Sequence, residues 1–118
     1  MWTSNYAIAG REPDAVATSV GVPKWFPGRH YDPLKPKRYM LKLKDEADYT
    51  SVYASTILAP LDPYRVIEDL GDKAILLCWE RPGEFCHRRL VAEWLLTKTG
   101  LVVLEWRPVT RQPGLFDS

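Results

Sequence analysis

Runs of apolar residues along the chain predict four short strands. Residues 74–79 and 101–106 are continuous apolar runs, typical of strands that are buried on both faces. Residues 3–9 and 15–20 indicate two further strands, joined by a turn that contains Pro13. Each run is too short to cross a membrane, so the chain predicts a globular fold and no membrane partner.

Apolar residues at helical spacing predict three helices. Residues 45–58 form the first, with Asp45 as its cap, and a second begins at Asp62 with Pro63 in its first turn and ends before Gly71. The third begins near residue 86, directly after the strand at residues 74–79 and a short Arg-Pro-Gly break. The predicted buried face of this third helix comprises His87, Leu90, Val91 and Trp94.

Strand, helix and strand between residues 74 and 106 predict a βαβ unit with a right-handed crossover between parallel strands. The fold class that follows is α/β, a small three-layer sandwich in which helices flank a mostly parallel sheet. Residues 1–106 are expected to form this single domain, and residues 107–118 a polar C-terminal tail. Ligands of such sheets usually bind at the carboxyl ends of the strands.

Composition predicts the cellular compartment of the protein and the redox state of its two cysteines. The 118 residues are 46% hydrophobic and 26% charged, which is ordinary for a globular protein. The N-terminal residues do not resemble a signal peptide, since Asn5, Arg11 and Glu12 interrupt any apolar core. Two cysteines in such a chain predict a cytoplasmic protein with free thiols.

Charge is concentrated in one part of the chain. Residues 24–44 hold seven basic residues and one acidic residue, a net charge of +6, whereas the rest carries −5. The proline-rich loop at residues 21–37 interleaves these cations with aromatic rings, a composition that suits single-stranded nucleic acid. The alternatives are a solvated charged loop and rings that anchor it to the core. The predicted nucleic-acid-binding residues are Lys24, Trp25, Arg29, His30, Tyr31, Lys35, Lys37 and Arg38.

The chemistry-bearing residues cluster at the start of the third helix. Cys86 lies in its first turn, where the helix dipole favours a thiolate, although most free cysteines are small buried hydrophobes. His87 falls on the apolar face, where a histidine is more often a core residue than a catalyst. Together with Glu80, at the end of the preceding strand, Cys86 and His87 are the candidate catalytic residues.

Arg88 and Arg89 are unusual so early in a helix, because cations there oppose its dipole. Two explanations are possible. Glu80 and Glu84 form ion pairs that offset the unfavourable interaction with the dipole, or the two guanidinium groups hold a bound phosphate or carboxylate. We predict no metal, because Cys-x7-Cys-His matches no compact zinc motif. Cys86 and His87 would also point about 100° apart on a helix. No cofactor is indicated.

These residues resemble the domain-of-unknown-function 488 family, in particular its short members. The likeness rests on Leu-Leu-Cys-Trp-Glu at residues 76–80, Phe-Cys-His-Arg at residues 85–88 and Leu-Val-Ala-Glu-Trp-Leu at residues 90–95, and it extends over residues 16–106. The resemblance implies a three-layer α/β fold with this signature at its site, and it adds Ser19 to the anion-binding residues. Many relatives carry an arginine after that serine, whereas this chain has Val20.

The tail contains Gln-Pro-Gly-Leu-Phe, which is similar to the peptide that binds bacterial sliding clamps. Leu115 and Phe116 would fill an apolar pocket on the clamp while Gln112 makes polar contacts; alternatively, the two apolar residues cover this domain's own surface.

Two functions therefore stand as hypotheses. One is an enzyme of DNA metabolism that binds a phosphate-bearing substrate, a nucleotide or nucleic acid, at the Cys-Glu-Cys-His-Arg site. The other is a non-catalytic DNA-associated adaptor that the tail recruits to the sliding clamp.

Overall fold

Five parallel strands form the single sheet of the structure, a computed structural model that describes residues 1–80 and 85–106. The spatial order of the strands is β3–β2–β4–β1–β5, and all four neighbouring pairs are parallel. The strands are β1 (Trp2–Asn5), β2 (Ala15–Ala17), β3 (Arg29–His30), β4 (Ile75–Cys78) and β5 (Leu104–Glu105). The prediction of a small α/β sandwich with a parallel sheet is confirmed.

Four α-helices accompany the sheet within the described residues. They are α1 (Tyr6–Ala9), α2 (Glu46–Tyr53), α3 (Pro63–Leu70) and α4 (His87–Thr99), and α2 continues into π-helical turns at Ala54–Leu58. The predicted caps are present: Asp45 accepts from the amides of Ala47 and Asp48, and Asp62 accepts from that of Tyr64. Gly71 ends α3 with a φ of 83°, a conformation that favours glycine.

Alternate residues of the central strands enter two separate cores, one on each face of the sheet. Val16 and Leu76 face the larger core, which includes the buried Tyr53, Val91 and Leu95 from the helices. On the opposite face, Ala17, Ile75 and Leu77 pack with Tyr6 of α1, and the half-buried Trp2, Val22, Phe26 and Trp106 cover this smaller core. The sheet is thus the middle of three layers.

Several predicted elements differ in the structure. The strands predicted at residues 15–20 and 101–106 extend only over Ala15–Ala17 and Leu104–Glu105. The apolar stretch at residues 3–9 is strand only as far as Asn5, whose side chain accepts from the amide of Ile8 and caps α1. The two strands of the predicted βαβ unit are parallel but not adjacent, because β1 pairs with both β4 and β5. The long loop at residues 21–37 is present, although it contributes β3 at the edge of the sheet.

Among the described residues, no helix combines the length and the apolar character needed to cross a membrane.

Candidate functional site

A pocket of about 400 Å³ opens at the carboxyl edge of the sheet, where β2 and β4 end. This is the position at which open parallel sheets usually bind ligands. Three walls enclose it: the turn after β2, the chain that leads into α2, and residues at the end of β4 and the start of α4. The lining residues are Ser19, Val20, Gly21, Pro36, Met40, Leu41, Leu43, Lys44, Asp45, Glu46, Tyr49, Cys78, Trp79, Glu80, Phe85, Cys86 and His87.

Three aromatic side chains line this pocket. The rings of Tyr49 and Phe85 meet edge to face with centroids 5.5 Å apart. Trp79 is 55% exposed, and its indole N–H donates to the carbonyl of Gly21 at 2.8 Å, which fixes the ring at the pocket wall. Burial, and secondarily the Glu80 carboxylate, raises the pKa of Tyr49 to about 12, so its hydroxyl stays protonated at neutral pH.

Cys78 and Cys86 meet at the pocket floor, and their sulfur atoms are bonded to one another. The sequence predicts free thiols; in this structure that prediction is wrong, because the fold brings the end of β4 against the start of α4. While this bond exists, Cys86 cannot serve as a nucleophile. Both cysteines are almost fully buried, at 1% and 3% exposure.

His87 is held by the turn after β2. Its Nε2 lies 2.7 Å from the carbonyl oxygen of Thr18, an atom that only accepts, so Nε2 carries the hydrogen. Its other nitrogen, Nδ1, is 3.7 Å from the sulfur of Cys86. Burial, with a smaller contribution from the nearby charge of Arg88, lowers the pKa of His87 to about 4 although the Thr18 hydrogen bond opposes the shift. The ring is therefore neutral at pH 7.

The carboxylate of Glu80 completes a compact cluster with the two sulfurs. One oxygen of Glu80 and the sulfur atoms of Cys78 and Cys86 all lie within 4.8 Å of one another. The three predicted catalytic residues, Glu80, Cys86 and His87, thus line one pocket.

The two arginines do not converge on this pocket. Arg88 is 1% exposed. Its Nη1 donates to the carbonyls of Ser4, at 2.7 Å, and Glu80, at 2.8 Å, and to the sulfur of Cys78 at 3.0 Å. Its Nη2 donates to the Glu105 carboxylate at 2.7 Å. Arg89 is exposed on the next position of the helix. Neither lines the pocket, so the predicted pair of anion-holding guanidinium groups does not form there: Arg88 is occupied by protein groups, and Arg89 is exposed outside the pocket.

Ser19, the third predicted anion-binding residue, does line the pocket. Its hydroxyl is 2.5 Å from the hydroxyl of Tyr6 and donates to the carbonyl of Gly21, also at 2.5 Å. These bonds hold the turn after β2 closed and leave little of the side chain accessible, since Ser19 is 5% exposed.

Much of the predicted nucleic-acid-binding loop is tied to the protein itself. Arg29 donates to the carbonyls of Asp69 and Leu70, the last residues of α3, and the Tyr31 hydroxyl donates to the Asp69 carboxylate at 2.8 Å. Lys35 lies 3.3 Å from the carboxylate of Asp32 and 2.8 Å from the His30 ring.

The remaining residues of that prediction stay exposed. Trp25 is 43% exposed, with the guanidinium of Arg11 4.5 Å from its ring centroid. Lys24, Lys37 and Arg38 are exposed, and none of them makes an ion pair within residues 1–80 and 85–106.

Sequence reasoning missed four residues that shape the site. Thr18 was predicted to lie within the strand at residues 15–20, whereas in the structure it follows β2 and orients His87. Cys78 was identifiable at the end of its strand, but its contact with Cys86 was not. Lys44 and Tyr49 give no local signal, since their roles depend on how α2 packs beside the pocket.

Searches of the chain against protein-family models, curated proteins and solved structures returned no match. The resemblance to the domain-of-unknown-function 488 family therefore stays a prediction. So does clamp binding, because Gln112, Leu115 and Phe116 lie outside the described residues.

Proposed function

We propose that the pocket binds a phosphate-bearing aromatic ligand, a nucleotide or the end of a nucleic-acid strand. The observation that carries this proposal is the pocket itself, whose aromatic interior adjoins Lys44 and the basic segment that contains it. Its volume of about 400 Å³ falls within the roughly 300–1,000 Å³ of small-molecule sites.

The cationic wall is the segment of residues 36–44, five of which line the pocket. This segment carries four exposed basic side chains, and none of them is ion-paired among the residues that the structure describes. These side chains belong to Lys37, Arg38, Lys42 and Lys44. Unpaired cations of this kind attract phosphate groups. We assign to them the anion-binding role that the sequence suggested for Arg88 and Arg89.

The aromatic interior supplies the second half of the recognition. Tyr49, Trp79 and Phe85 offer ring faces on which a base would stack, a contact worth about 1–3 kcal/mol per base. Of the acidic lining residues Asp45, Glu46 and Glu80, Asp45 is engaged in capping α2, so its carboxylate oxygen accepts from backbone amides. The base would thus lie inside the pocket, with the phosphates at the wall that contains Lys44.

Calorimetric titration with nucleoside mono- and triphosphates and a short single-stranded oligonucleotide tests the proposal. Trp79→Ala should weaken binding about tenfold by removing a stacking surface, and Lys44→Ala about threefold by removing a surface charge. Matched controls are Trp25→Ala in the basic loop and Lys73→Ala, an exposed lysine just before β4 at the opposite edge of the sheet. Both controls should bind like the wild type.

Affinity should also fall as salt is raised, because phosphate contacts release counterions. Absence of binding at low salt would refute the proposal. Equal losses in Trp25→Ala and Trp79→Ala would move the site from the pocket to the loop.

A further inference from the structure

We propose that the reduced form of the protein binds one zinc ion at the floor of the pocket. The four ligands are Cys78, Glu80, Cys86 and His87. This proposal is independent of the phosphate-bearing ligand, since it concerns the floor of the pocket rather than its cationic wall.

The separation of the two cysteines in the backbone is the first argument. Their Cα atoms are 7.5 Å apart, which exceeds the roughly 4.4–6.8 Å that most disulfides span. Two thiolates on one tetrahedral zinc ion, each about 2.3 Å from the metal, place their sulfurs about 3.8 Å apart. A bridging ion therefore suits this backbone better than a direct bond between the sulfurs.

The Glu80 carboxylate is the second argument. One of its oxygens lies within 4.8 Å of both sulfurs, so a single ion could contact all three atoms after small side-chain rotations. Thiolate and carboxylate are both established zinc ligands.

His87 offers a fourth ligand atom in the required protonation state. Because Nε2 donates to the Thr18 carbonyl, the lone pair of the neutral ring lies on Nδ1. Nδ1 is 3.7 Å from the Cys86 sulfur, close to the edge of about 3.6 Å between nitrogen and sulfur ligands on tetrahedral zinc. A histidine ligand whose other nitrogen donates to a carbonyl is the usual arrangement at metal sites.

The helical-wheel objection to this pairing does not apply. Cys86 precedes the first turn of α4 in extended backbone, with φ −157° and ψ 149°, so its side chain is not related to that of His87 by a helical rotation. This is how adjacent residues come to share one site.

Arg88 supports the proposed site from outside the ligand set. Two thiolates and one carboxylate around a divalent ion leave a net charge of −1. The buried guanidinium donates to the Cys78 sulfur at 3.0 Å, and it shares its positive charge between that sulfur and the Glu105 carboxylate.

Zinc binding requires the sulfur–sulfur bond to be opened first. Two molecules of an external thiol reduce it, giving two protein thiols and one external disulfide. Zinc then displaces one proton from each thiol.

The test starts from the full chain, reduced with a phosphine and freed of metal under anaerobic conditions. Zinc should bind with a stoichiometry of one in competition with a chromogenic chelator. Cobalt, as a spectroscopic probe, should give the d–d bands of a tetrahedral site and a charge-transfer band with the intensity of two thiolates. Because this spectrum is measured on the wild type, it tests the proposal even where a variant fails to fold.

Variants identify the ligands. Cys78→Ser and Cys86→Ser should each lower zinc affinity by at least about 100-fold, the upper end of the effect of losing an outer-shell partner. His87→Gln should lower it at least about tenfold and keep the two-thiolate band. Glu46→Gln, an acidic residue that lines the same pocket but lies outside the cluster, should bind zinc like the wild type.

Two results would overturn the proposal. One is a reduced wild-type chain that binds no cobalt, or binds it without thiolate charge transfer. The other is re-formation of the sulfur–sulfur bond in a glutathione buffer despite excess zinc, which would make the two cysteines a redox pair.

Discussion

The floor of the pocket and the basic loop at residues 21–37 both carry the residue types that suggest function, yet the fold uses them differently. At and behind the floor, the buried His87 bonds to the backbone carbonyl of Thr18, directly after β2, and the buried Arg88 bonds to that of Ser4 in β1. In the loop, Arg29 and Tyr31 bond to the end of α3 at the surface. Of the cations on residues 36–44, which make no ion pair among the described residues, Lys44 lines the pocket and Lys37 also belongs to the basic loop.

The difference shows that a residue's hydrogen-bond partners, rather than its type, decide whether it stabilises the fold or can contact a ligand. A buried guanidinium with four partners is part of the framework, whereas an exposed lysine beside a pocket is free to meet a ligand. The comparison predicts large stability effects at the floor and small ones in the loop.

The largest effect is expected at Arg88. Arg88→Met should lower the free energy of unfolding by about 3–5 kcal/mol, because it leaves buried carbonyls without their donor and the Glu105 carboxylate without its ion-pair partner. Denaturant unfolding, followed by circular dichroism, measures this change.

Arg89 provides the matched control, since it is the same residue type one position along α4 and is exposed. Arg89→Met should change the unfolding free energy by less than about 0.5 kcal/mol. Similar losses for the two variants would contradict the view that Arg88 belongs to the framework.

A smaller effect is expected at Arg29. Its guanidinium satisfies carbonyls at the last residues of α3, which have no partner within the helix, so Arg29→Ala should cost about 1 kcal/mol of stability. Nucleotide affinity should not change, because Arg29 does not line the pocket. Lys24→Ala, an exposed cation of the same loop, is the control for stability. A loss of affinity in Arg29→Ala at unchanged stability would restore the loop as a binding surface.

Much of the fold was predictable because its signals are local. The apolar run of β4 and the caps at Asp45 and Asp62 each act within a few residues, and all three appear in the structure. The strand predicted at residues 3–9 is correct as far as Asn5 and wrong beyond it, since Asn5 caps a helix with its own side chain where the apolar pattern continues.

The location of the site could be predicted from the sequence, but the hydrogen bonds between its residues could not. Polar residues after buried strands locate the pocket correctly, as Glu80 illustrates. The burial of Arg88 was not predictable, because its partner Ser4 lies 84 residues away in the chain and meets it only once β1 pairs with β4. Long-range pairing of this kind leaves no pattern in a single sequence.

The smallest predicted effect is a pH dependence at Asp69, the residue to which the loop is tied. Hydrogen bonds from Tyr31, and then from Arg65, hold the pKa of the Asp69 carboxyl below its ordinary value of 3.8. Because the folded-state pKa is lowered, these bonds stabilise the fold fully above pH 3.8 and lose their effect as the pH falls through the folded-state value. The stability difference between wild type and Asp69→Asn should therefore be positive at pH 7 and shrink below pH 3.8. Thermal unfolding over this range measures the difference, and Tyr31→Phe, which removes the first donor, should reduce it. A difference that is the same at pH 7 and pH 3 would show that the Asp69 charge does not anchor the loop.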